Sequence, residues 1–290
     1  MQIFLFLLCL LSTSFLASEN KIIFLISTPR SLSVGFLRMM EARQDFEVFN
    51  ELTNAPYVAL YDQKYYEQTF REDCFKSYEE VTQFIFKQAG HSNVFVKEMA
   101  FAVPEFLTPD NWLLCFADFV FLVRKPQDVI LSLYQKGVSV PEIPKIMGYK
   151  EICELFEMVT AHAKNSPYLI FSEDLGERPL ETVSLFCRHV GIPFKPELLT
   201  WENLGSQFTG QKWRDGKVET AVQYWHGDAI RSTCFSSLRT AEVDREGNPT
   251  FVEIENREDR MACRDLYLQS LPYYTTLKER WESSKRRTGD

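Results

Sequence analysis

The alternation of apolar segments is the feature that most limits the fold of this chain. Five short apolar runs alternate with segments whose apolar residues recur at helical spacing, from residue 21 to residue 194. This pattern is typical of a parallel sheet covered by helices. The predicted strands are Lys21–Ile26, Phe46–Asn50, Asn93–Lys97, Ala117–Val123 and Pro167–Phe171; the predicted helices are Ser33–Arg43, Ser77–Ala89, Pro126–Gln135, Tyr149–Ala163 and Arg178–Val190. We therefore predict an α/β protein with a central parallel sheet.

Polar residues stand directly after each predicted strand. The positions are the segment from Thr28 to Ser33, then Glu51, Glu98 and Arg124, and finally residues 172–174. Ligands of open parallel sheets bind beyond the carboxyl ends of the strands, so these residues are expected to converge on one cleft. Strands commonly end in polar residues, and each position taken alone also fits that simpler explanation.

The first loop has the composition of a phosphate-binding site. It lies in the stretch "KIIFLISTPRSLS", between a predicted strand and a predicted helix. The first backbone N–H groups of a helix lack intrahelical partners and, together with the helix dipole, favour an anion. The guanidinium of Arg30 and the hydroxyls of Thr28, Ser31 and Ser33 would add donors there.

A second motif, "FLVRKPQDVILSLYQ", places Arg124 at the end of a strand and Pro126, Asp128 and Ser132 in the helix that follows. Asp128 and Ser132 follow Arg124 at successive spacings of four, which places them on one face of the helix. With the first loop, this motif closely resembles sulfotransferases that use 3′-phosphoadenosine 5′-phosphosulfate (PAPS), which carry a PKSGTT or PRSGS loop and later an RxPxDxxxSxY motif. "YLIFSEDLGERPLETVSLFCRHVGIPF", residues 168–194, is similar to a third segment of that family.

The resemblance implies a three-layer sandwich with P-loop NTPase-like topology and assigns residues to the donor PAPS. By this resemblance the first loop binds the 5′-phosphosulfate, and Arg124 and Ser132 bind the 3′-phosphate. The loop residues are Thr28, Pro29, Arg30, Ser31, Leu32 and Ser33. Leu32 stands where many members have glycine, and Val34 where many have threonine. A loop that closes over the nucleotide is matched best by "GQKWRDGK", whose Lys212, Arg214 and Lys217 fit a donor contact or a solvated surface turn.

The general base implied by the resemblance is a glutamate. Some family members have a histidine after the third strand, where this chain has Met99; others have a glutamate after the second strand, as Glu51 stands here. We predict Glu51 as the base, with Glu98 second, and Lys97 as a source of positive potential. An apolar cleft is expected to raise the pKa of such a carboxyl towards working pH. The reaction requires no metal.

The acceptor is not specified by the sequence beyond a small molecule or biopolymer that carries a hydroxyl or an amine. The aromatic stretch from Pro56 to Phe70 fits an acceptor-binding lid or a packed amphipathic helix, and Val222–Phe235 could close the cleft from the other side. A net charge of −8 argues against nucleic acid as a partner. Two rival functions remain: a nucleotide-binding protein without catalysis and, less favoured because no GxxxxGK[ST] loop is present, a nucleotide kinase.

The start of the chain reads either as a signal peptide or as an apolar N-terminal segment. Residues 1–18 contain an apolar run from Ile3 to Leu11, too short for a stable membrane span and not preceded by a basic residue. Residues 19–290 are predicted to form a single domain. Both a cytoplasmic location and export through a weak signal remain open.

Overall fold

The computed structural model describes residues 20–288, with side chains up to residue 283. The predicted N-terminal segment, residues 1–18, lies outside the described residues. None of the helices within residues 20–288 is long and apolar enough to cross a membrane.

A five-stranded parallel sheet forms the centre of the molecule, which confirms the predicted fold class. The strands lie in the order β2-β3-β1-β4-β5, so the first strand is central and the chain crosses over to add strands on each side of it. The bounds are β1 Ile22–Ser27, β2 Glu47–Asn50, β3 Val94–Met99, β4 Ala117–Val123 and β5 Tyr168–Phe171. Each predicted strand lies within two residues of the observed one.

Helices connect and cover the strands. The five predicted helices are observed within one residue of the expected ends, and seven others occur among residues 20–288. The helices are α1 Ser33–Ala42, α2 Asn54–Tyr61, α3 Gln63–Thr69, α4 Tyr78–Ala89, α5 Leu113–Phe116, α6 Pro126–Gln135, α7 Ile143–Met147, α8 Tyr149–His162, α9 Ser172–Glu177, α10 Pro179–Val190, α11 Glu219–Arg231 and α12 Arg257–Thr288. The aromatic segment at residues 56–70 thus forms parts of two short helices.

Both faces of the sheet are buried, which explains why the strands read as continuous apolar runs. Along β1, Phe24 packs into a core with residues of α4, α6, α8 and α12, whereas Ile23 and Leu25 face a second core with α1, α10 and α11. This alternation follows from the two-residue period of a strand. The helices therefore form two layers, one on each side of the sheet.

The register of the strands brings the predicted site residues together. Ser27, the last residue of β1, pairs with Met99 of β3 and Leu122 of β4, so the loop after β1 lies between the ends of its two neighbours. At the sheet edge, Asn50 pairs with Lys97, and the amide of Glu51 donates to the carbonyl of Lys97 at 2.6 Å. Glu51 and Lys97 are therefore neighbours at the carboxyl end of the sheet.

Phe36 of α1 allows a test of how much the second core contributes to the stability of the fold. Its ring is fully buried and lies 4.9 Å from the ring of Phe186, edge to face, and 6.0 Å from that of Phe95. Phe36→Ala should lower the free energy of unfolding by about 3–5 kcal/mol in denaturant titration, because it removes a large buried side chain. Leu180→Ala, at an exposed position of α10, should change it by less than about 0.5 kcal/mol. Equal effects of the two variants would contradict this packing.

Candidate active site

A cavity of about 630 Å³ opens at the carboxyl edge of the sheet. Its walls come from the loop after β1, the ends of β2, β3 and β4, and helices α2, α3 and α11. The predicted site residues that line it are Pro29, Arg30, Ser31, Leu32, Ser33, Glu51, Lys97 and Arg124. Thr28, Ser132, Glu98, Lys212 and Arg214 do not line it.

Hydrogen bonds fix the shape of the loop between β1 and α1. The hydroxyl of Ser31 donates to the carbonyl of Thr28 at 2.6 Å, and the hydroxyl of Thr28 accepts from the amide of Arg124 at 3.2 Å. The hydroxyl of Ser172 donates to the carbonyl of Ser31 at 2.9 Å. The loop is therefore tied to the ends of β4 and β5, and α1 begins at Ser33 with its first turn at the cavity wall.

Two residues of this loop adopt the left-handed backbone conformation. Arg30 has φ 58° and Leu32, which directly precedes α1, has φ 66°. Glycine enters this region freely, whereas a residue with a Cβ loses roughly 1–2 kcal/mol there. The glycine-like conformation is thus present although Leu32 occupies the position where many relatives have glycine.

Arg30 joins the two motifs that the resemblance assigned to opposite ends of the donor. Its Nε donates to the hydroxyl of Ser132 at 3.1 Å, and another nitrogen lies 3.4 Å from the carboxylate of Asp228. The sequence places Arg30 on the 5′ side; the structure brings its side chain to Ser132, on the predicted 3′ side. Ser132 does not line the cavity itself but contacts Arg30, which does.

Arg124 is nearly fully buried beside the first loop. Its guanidinium donates to the carbonyl of Arg30 at 2.7 Å and to the carbonyl of Arg239. Within the described residues, its buried Nε has no hydrogen-bond partner. Burial lowers the pKa of Arg124, but a guanidinium stays protonated at neutral pH. The group is thus a buried cation beside the cavity.

Glu51 lies between two ammonium groups. Its Oε1 accepts from Lys97, and its Oε2 accepts from Lys217 at 2.6 Å and from the side-chain amide of Asn54 at 2.7 Å. The three charged side chains are at most 5% exposed. Buried charges are stable only when paired and hydrogen-bonded, and here each has such partners.

The pKa of Glu51 is shifted in the direction opposite to the one expected from the sequence. Burial raises the pKa of this carboxyl, but the charges of Lys217 and Lys97 together outweigh that effect and hold it well below its ordinary value. The expected rise towards working pH is therefore wrong for this residue. An apolar cleft alone would have raised the pKa, and the sequence did not show that Lys217 lies beside the carboxylate. Glu51 is ionised at neutral pH.

Glu98, the second predicted base, points away from the cavity. Consecutive strand residues face opposite sides of the sheet, so Lys97 and Glu98 cannot both line the same wall. The carboxyl of Glu98 is completely buried and accepts from the amide of Thr53 at 3.2 Å and from its hydroxyl at 2.7 Å. Burial raises the pKa of Glu98 to about 8. Glu98 thus supports the turn that carries Glu51.

The segment at residues 210–217 supplies Lys217 to the cavity and keeps its other two basic residues outside. Lys212 pairs with Glu41 at 2.7 Å, and the guanidinium of Arg214 lies over the ring of Phe84 at 5.5 Å. Gly216 has φ 74°, and a Cβ there would lie 2.7 Å from that of Cys74. Only glycine allows this close approach, which fixes the backbone beside Lys217.

His226 is a cavity residue that the sequence analysis did not assign. It lies on α11, its Nε2 is 3.3 Å from the side-chain amide of Asn50, and the same atom is 4.0 Å from Oε1 of Glu51. Burial lowers the pKa of His226 to about 3, so the imidazole is neutral at neutral pH. The mixed aromatic and polar sequence "VQYWHGDAIRSTCF" was the available signal, but nothing in it specified contact with β2.

Within residues 20–288, no group of three or more histidine, cysteine, aspartate or glutamate side chains is arranged to hold a metal ion. The expectation that the reaction needs no metal stays a prediction.

The chain belongs to the sulfotransferase domain family, whose signature it matches over residues 21–281. This membership supports an enzyme that transfers a sulfuryl group. Similar solved structures include the sulfotransferase domain from the curacin biosynthetic pathway (16% identity, 86% of this chain and 98% of that chain, TM-score 0.42). A second is a sulfotransferase from Alicyclobacillus acidocaldarius (12% identity, 73% of this chain and 97% of that chain, TM-score 0.42). A third is mouse sulfotransferase SULT7A1 complexed with PAP (12% identity, 94% of this chain and 93% of that chain, TM-score 0.41). No curated protein sequence matches the chain.

Replacing Glu98 by glutamine should change how stability depends on pH. Because the pKa of Glu98 is about 8 when folded and near 4.5 when unfolded, the folded chain holds an extra proton between these values. The free energy of unfolding therefore falls as pH rises through this range, by at most about 1.4 kcal/mol per pH unit. Glutamine keeps both contacts with Thr53 and does not titrate.

We therefore expect Glu98→Gln to gain stability relative to the unmodified chain as pH rises from 5 to 8, measured by denaturant unfolding at each pH. Glu72→Gln, at an exposed position, serves as the matched control and should show no such trend. A constant difference between Glu98→Gln and the unmodified chain would contradict the high pKa of Glu98.

Proposed function

We propose that the protein transfers a sulfuryl group from PAPS to a hydroxyl group of a small acceptor, with Glu51 as general base. The observation that carries this proposal is the contact of the Glu51 carboxylate with Lys97 and Lys217 in the cavity that also contains the first loop and Arg124. A proton acceptor and several cations in one buried cavity suit a reaction in which negative charge moves between oxygens.

The residues present fit a donor with two phosphate positions. The first turn of α1 offers backbone N–H groups, which favour an anion. Arg30 and Arg124 both line the cavity and add two guanidinium groups, which suit anionic phosphate oxygens. Bound PAPS would supply the sulfuryl group, which is joined to its 5′-phosphate. When that bond breaks, adenosine 3′,5′-bisphosphate is left.

Glu51 would accept the proton of the acceptor hydroxyl as the acceptor oxygen bonds to sulfur. The bond between sulfur and the 5′-phosphate oxygen breaks in the same transfer, and its electron pair leaves with the bisphosphate. Lys97 and Lys217 each have three N–H donors, so each can contact Glu51 and an anionic oxygen together. They stabilise the charge that develops on those oxygens.

The low pKa of Glu51 fits this role because the lysines are shared. A second anion near Lys97 and Lys217 weakens their stabilisation of the Glu51 carboxylate, and the pKa of Glu51 then rises. Substrate binding thus strengthens the base at the stage when the proton moves. In the absence of substrate the carboxylate stays ionised, so it keeps the two lysines in place.

Glu51→Gln tests the catalytic part of the proposal. Removal of a general base is expected to lower the rate of transfer by roughly 10²–10⁴-fold. The affinity for adenosine 3′,5′-bisphosphate should stay within about threefold, because a base acts on the acceptor rather than on the nucleotide. Labelled-donor transfer and isothermal calorimetry provide the two measurements.

Glu98→Gln is the matched control for Glu51→Gln. It removes a buried carboxyl that does not line the cavity from the neighbouring position on β3, and it should retain most of the transfer rate. The result that would reject Glu51 as the base is full activity of Glu51→Gln. A rate that rises with the titration of a group near pH 8 and disappears in Glu98→Gln would assign the base to Glu98.

Arg124→Ala tests the donor part of the proposal. We expect it to weaken binding of adenosine 3′,5′-bisphosphate by about 10- to 100-fold, the size of a lost hydrogen bond to a charged group. Binding of adenosine 5′-monophosphate, measured by the same calorimetry, should change less because it lacks the 3′-phosphate. Arg280→Ala, which removes an exposed arginine paired with Glu157, should change neither affinity. Equal affinity of the unmodified protein for both nucleotides would reject a 3′-phosphate site.

A further inference from the structure

Helix α2 connects the proposed base to an aromatic part of the cavity. Asn54, Tyr57, Val58 and Tyr61 follow one another at helical spacing, so they share one face of the helix. Asn54 donates to Glu51, and the other three residues line the cavity. The same helix face therefore carries a contact to the base at one end and apolar surface beyond it.

This apolar surface continues onto two other segments. The ring of Tyr57 lies 4.8 Å from that of Tyr61 and 5.5 Å from that of Phe101, with Phe101 nearly edge to face. Val138 and Ile146, before and within α7, also line the cavity. We call these six residues the aromatic wall: Tyr57, Val58, Tyr61, Phe101, Val138 and Ile146.

The aromatic wall presents few free polar groups to a ligand. Its six side chains carry two polar groups, the hydroxyls of Tyr57 and Tyr61, and that of Tyr61 already donates to Glu105 at 2.7 Å. Lys145 and Glu142 line the cavity beside the wall and pair with each other at 2.8 Å. A hydroxyl-rich ligand such as a sugar would lose water at this surface without gaining matching hydrogen bonds. A flat apolar ring loses no such bonds and packs well against tyrosine and phenylalanine.

The opposite end of the acceptor space is cationic. Lys97 and Lys217 are both within hydrogen-bond distance of Glu51, so a protonated amine that approached this carboxylate would meet two like charges. An oxygen that gains negative charge as it loses its proton would instead be stabilised by both ammonium groups. The charges thus favour a hydroxyl over an amine, and an acidic hydroxyl most of all.

From the aromatic wall and this pair of ammonium groups we infer that the acceptor is a phenol, with its ring against the wall and its hydroxyl at Glu51. The inference rests on the proposed function. The phenol O–H bond breaks, the proton passes to Glu51, and the phenolate oxygen forms the new bond to sulfur. The products are an aryl sulfate and adenosine 3′,5′-bisphosphate.

The acidity of the acceptor is a second reason to choose a phenol. Glu51 is a weak base because its neighbours lower the pKa of its carboxyl. A phenol loses its proton at a pKa of about 10, whereas the pKa of an aliphatic hydroxyl is far higher. A weak base accepts the proton of a phenol far more readily than the proton of an aliphatic alcohol.

A set of matched acceptors tests the inference with the full chain. We would compare kcat/KM of labelled-PAPS transfer to 2-naphthol, 2-naphthalenemethanol, 2-naphthylmethylamine and glucose. The first three share one ring system and differ in the reacting group, so ring packing is held constant. We expect 2-naphthol to exceed 2-naphthalenemethanol by at least about tenfold, and the amine and glucose by at least about a hundredfold.

Variants at the wall provide a readout that does not depend on turnover. Tyr61→Ser should weaken binding of 2-naphthol to the complex of the protein with adenosine 3′,5′-bisphosphate by roughly five- to tenfold in calorimetry, because one aromatic face is lost. Tyr61 is 62% exposed, so the variant is expected to fold. Trp112→Ser removes an exposed aromatic residue outside the cavity and is the matched control. Both variants should bind the bisphosphate like the unmodified chain.

The outcomes separate this inference from the proposed function. Transfer that favours glucose, the amine or the aliphatic alcohol over 2-naphthol would overturn the phenol inference and leave sulfuryl transfer intact. Bisphosphate binding without sulfation of 2-naphthol, or equal 2-naphthol affinity of Tyr61→Ser and Trp112→Ser, would also overturn it. Failure to bind the bisphosphate and to sulfate any acceptor would reject the proposed function itself.

Discussion

The buried carboxylate of Glu51 is the constraint on which the rest of the site depends. A charge removed from water is stable only if opposite charges and hydrogen bonds replace its hydration. Here the replacements come from β3, from α2 and from residue 217, which lies 166 positions along the chain from Glu51. These segments must therefore reach the sheet edge together, because the loss of either lysine leaves fewer opposite charges around the buried carboxylate.

The sequence predicted the fold well and the site in part, for a physical reason. Strand and helix periods are local, so the ends of β4 and α6 were correct to the residue. Glu51 and Arg124 follow from the rule that ligands bind beyond parallel strands, but Glu98, predicted by the same rule, does not line the cavity. Lys97 was predicted from the family resemblance. Lys217 and His226 reach the same place only through long-range packing of segments whose local pattern resembles an ordinary turn and an ordinary helix.

Two motifs that looked independent in the sequence are physically connected in the structure. Arg30 of the first loop donates to Ser132 on α6, while Arg124 at the end of β4 donates to the carbonyl of Arg30. Arg30 makes both contacts from a left-handed backbone conformation. A change at either motif therefore alters the geometry of the other, and single substitutions there will not have additive effects.

The order of the strands divides the cavity into two ends with different structural support. The central strands β1 and β4 carry the loop and Arg124, whereas β2 at the edge leads into Glu51 and α2. Residues 57–69 of α2 and α3 follow that edge and lie on short helices with exposed outer surfaces. Substitutions in these helices can reshape one end of the cavity without moving the centre of the sheet. The fold thus allows the choice of reaction partner to diverge while the machinery around the first loop stays unchanged.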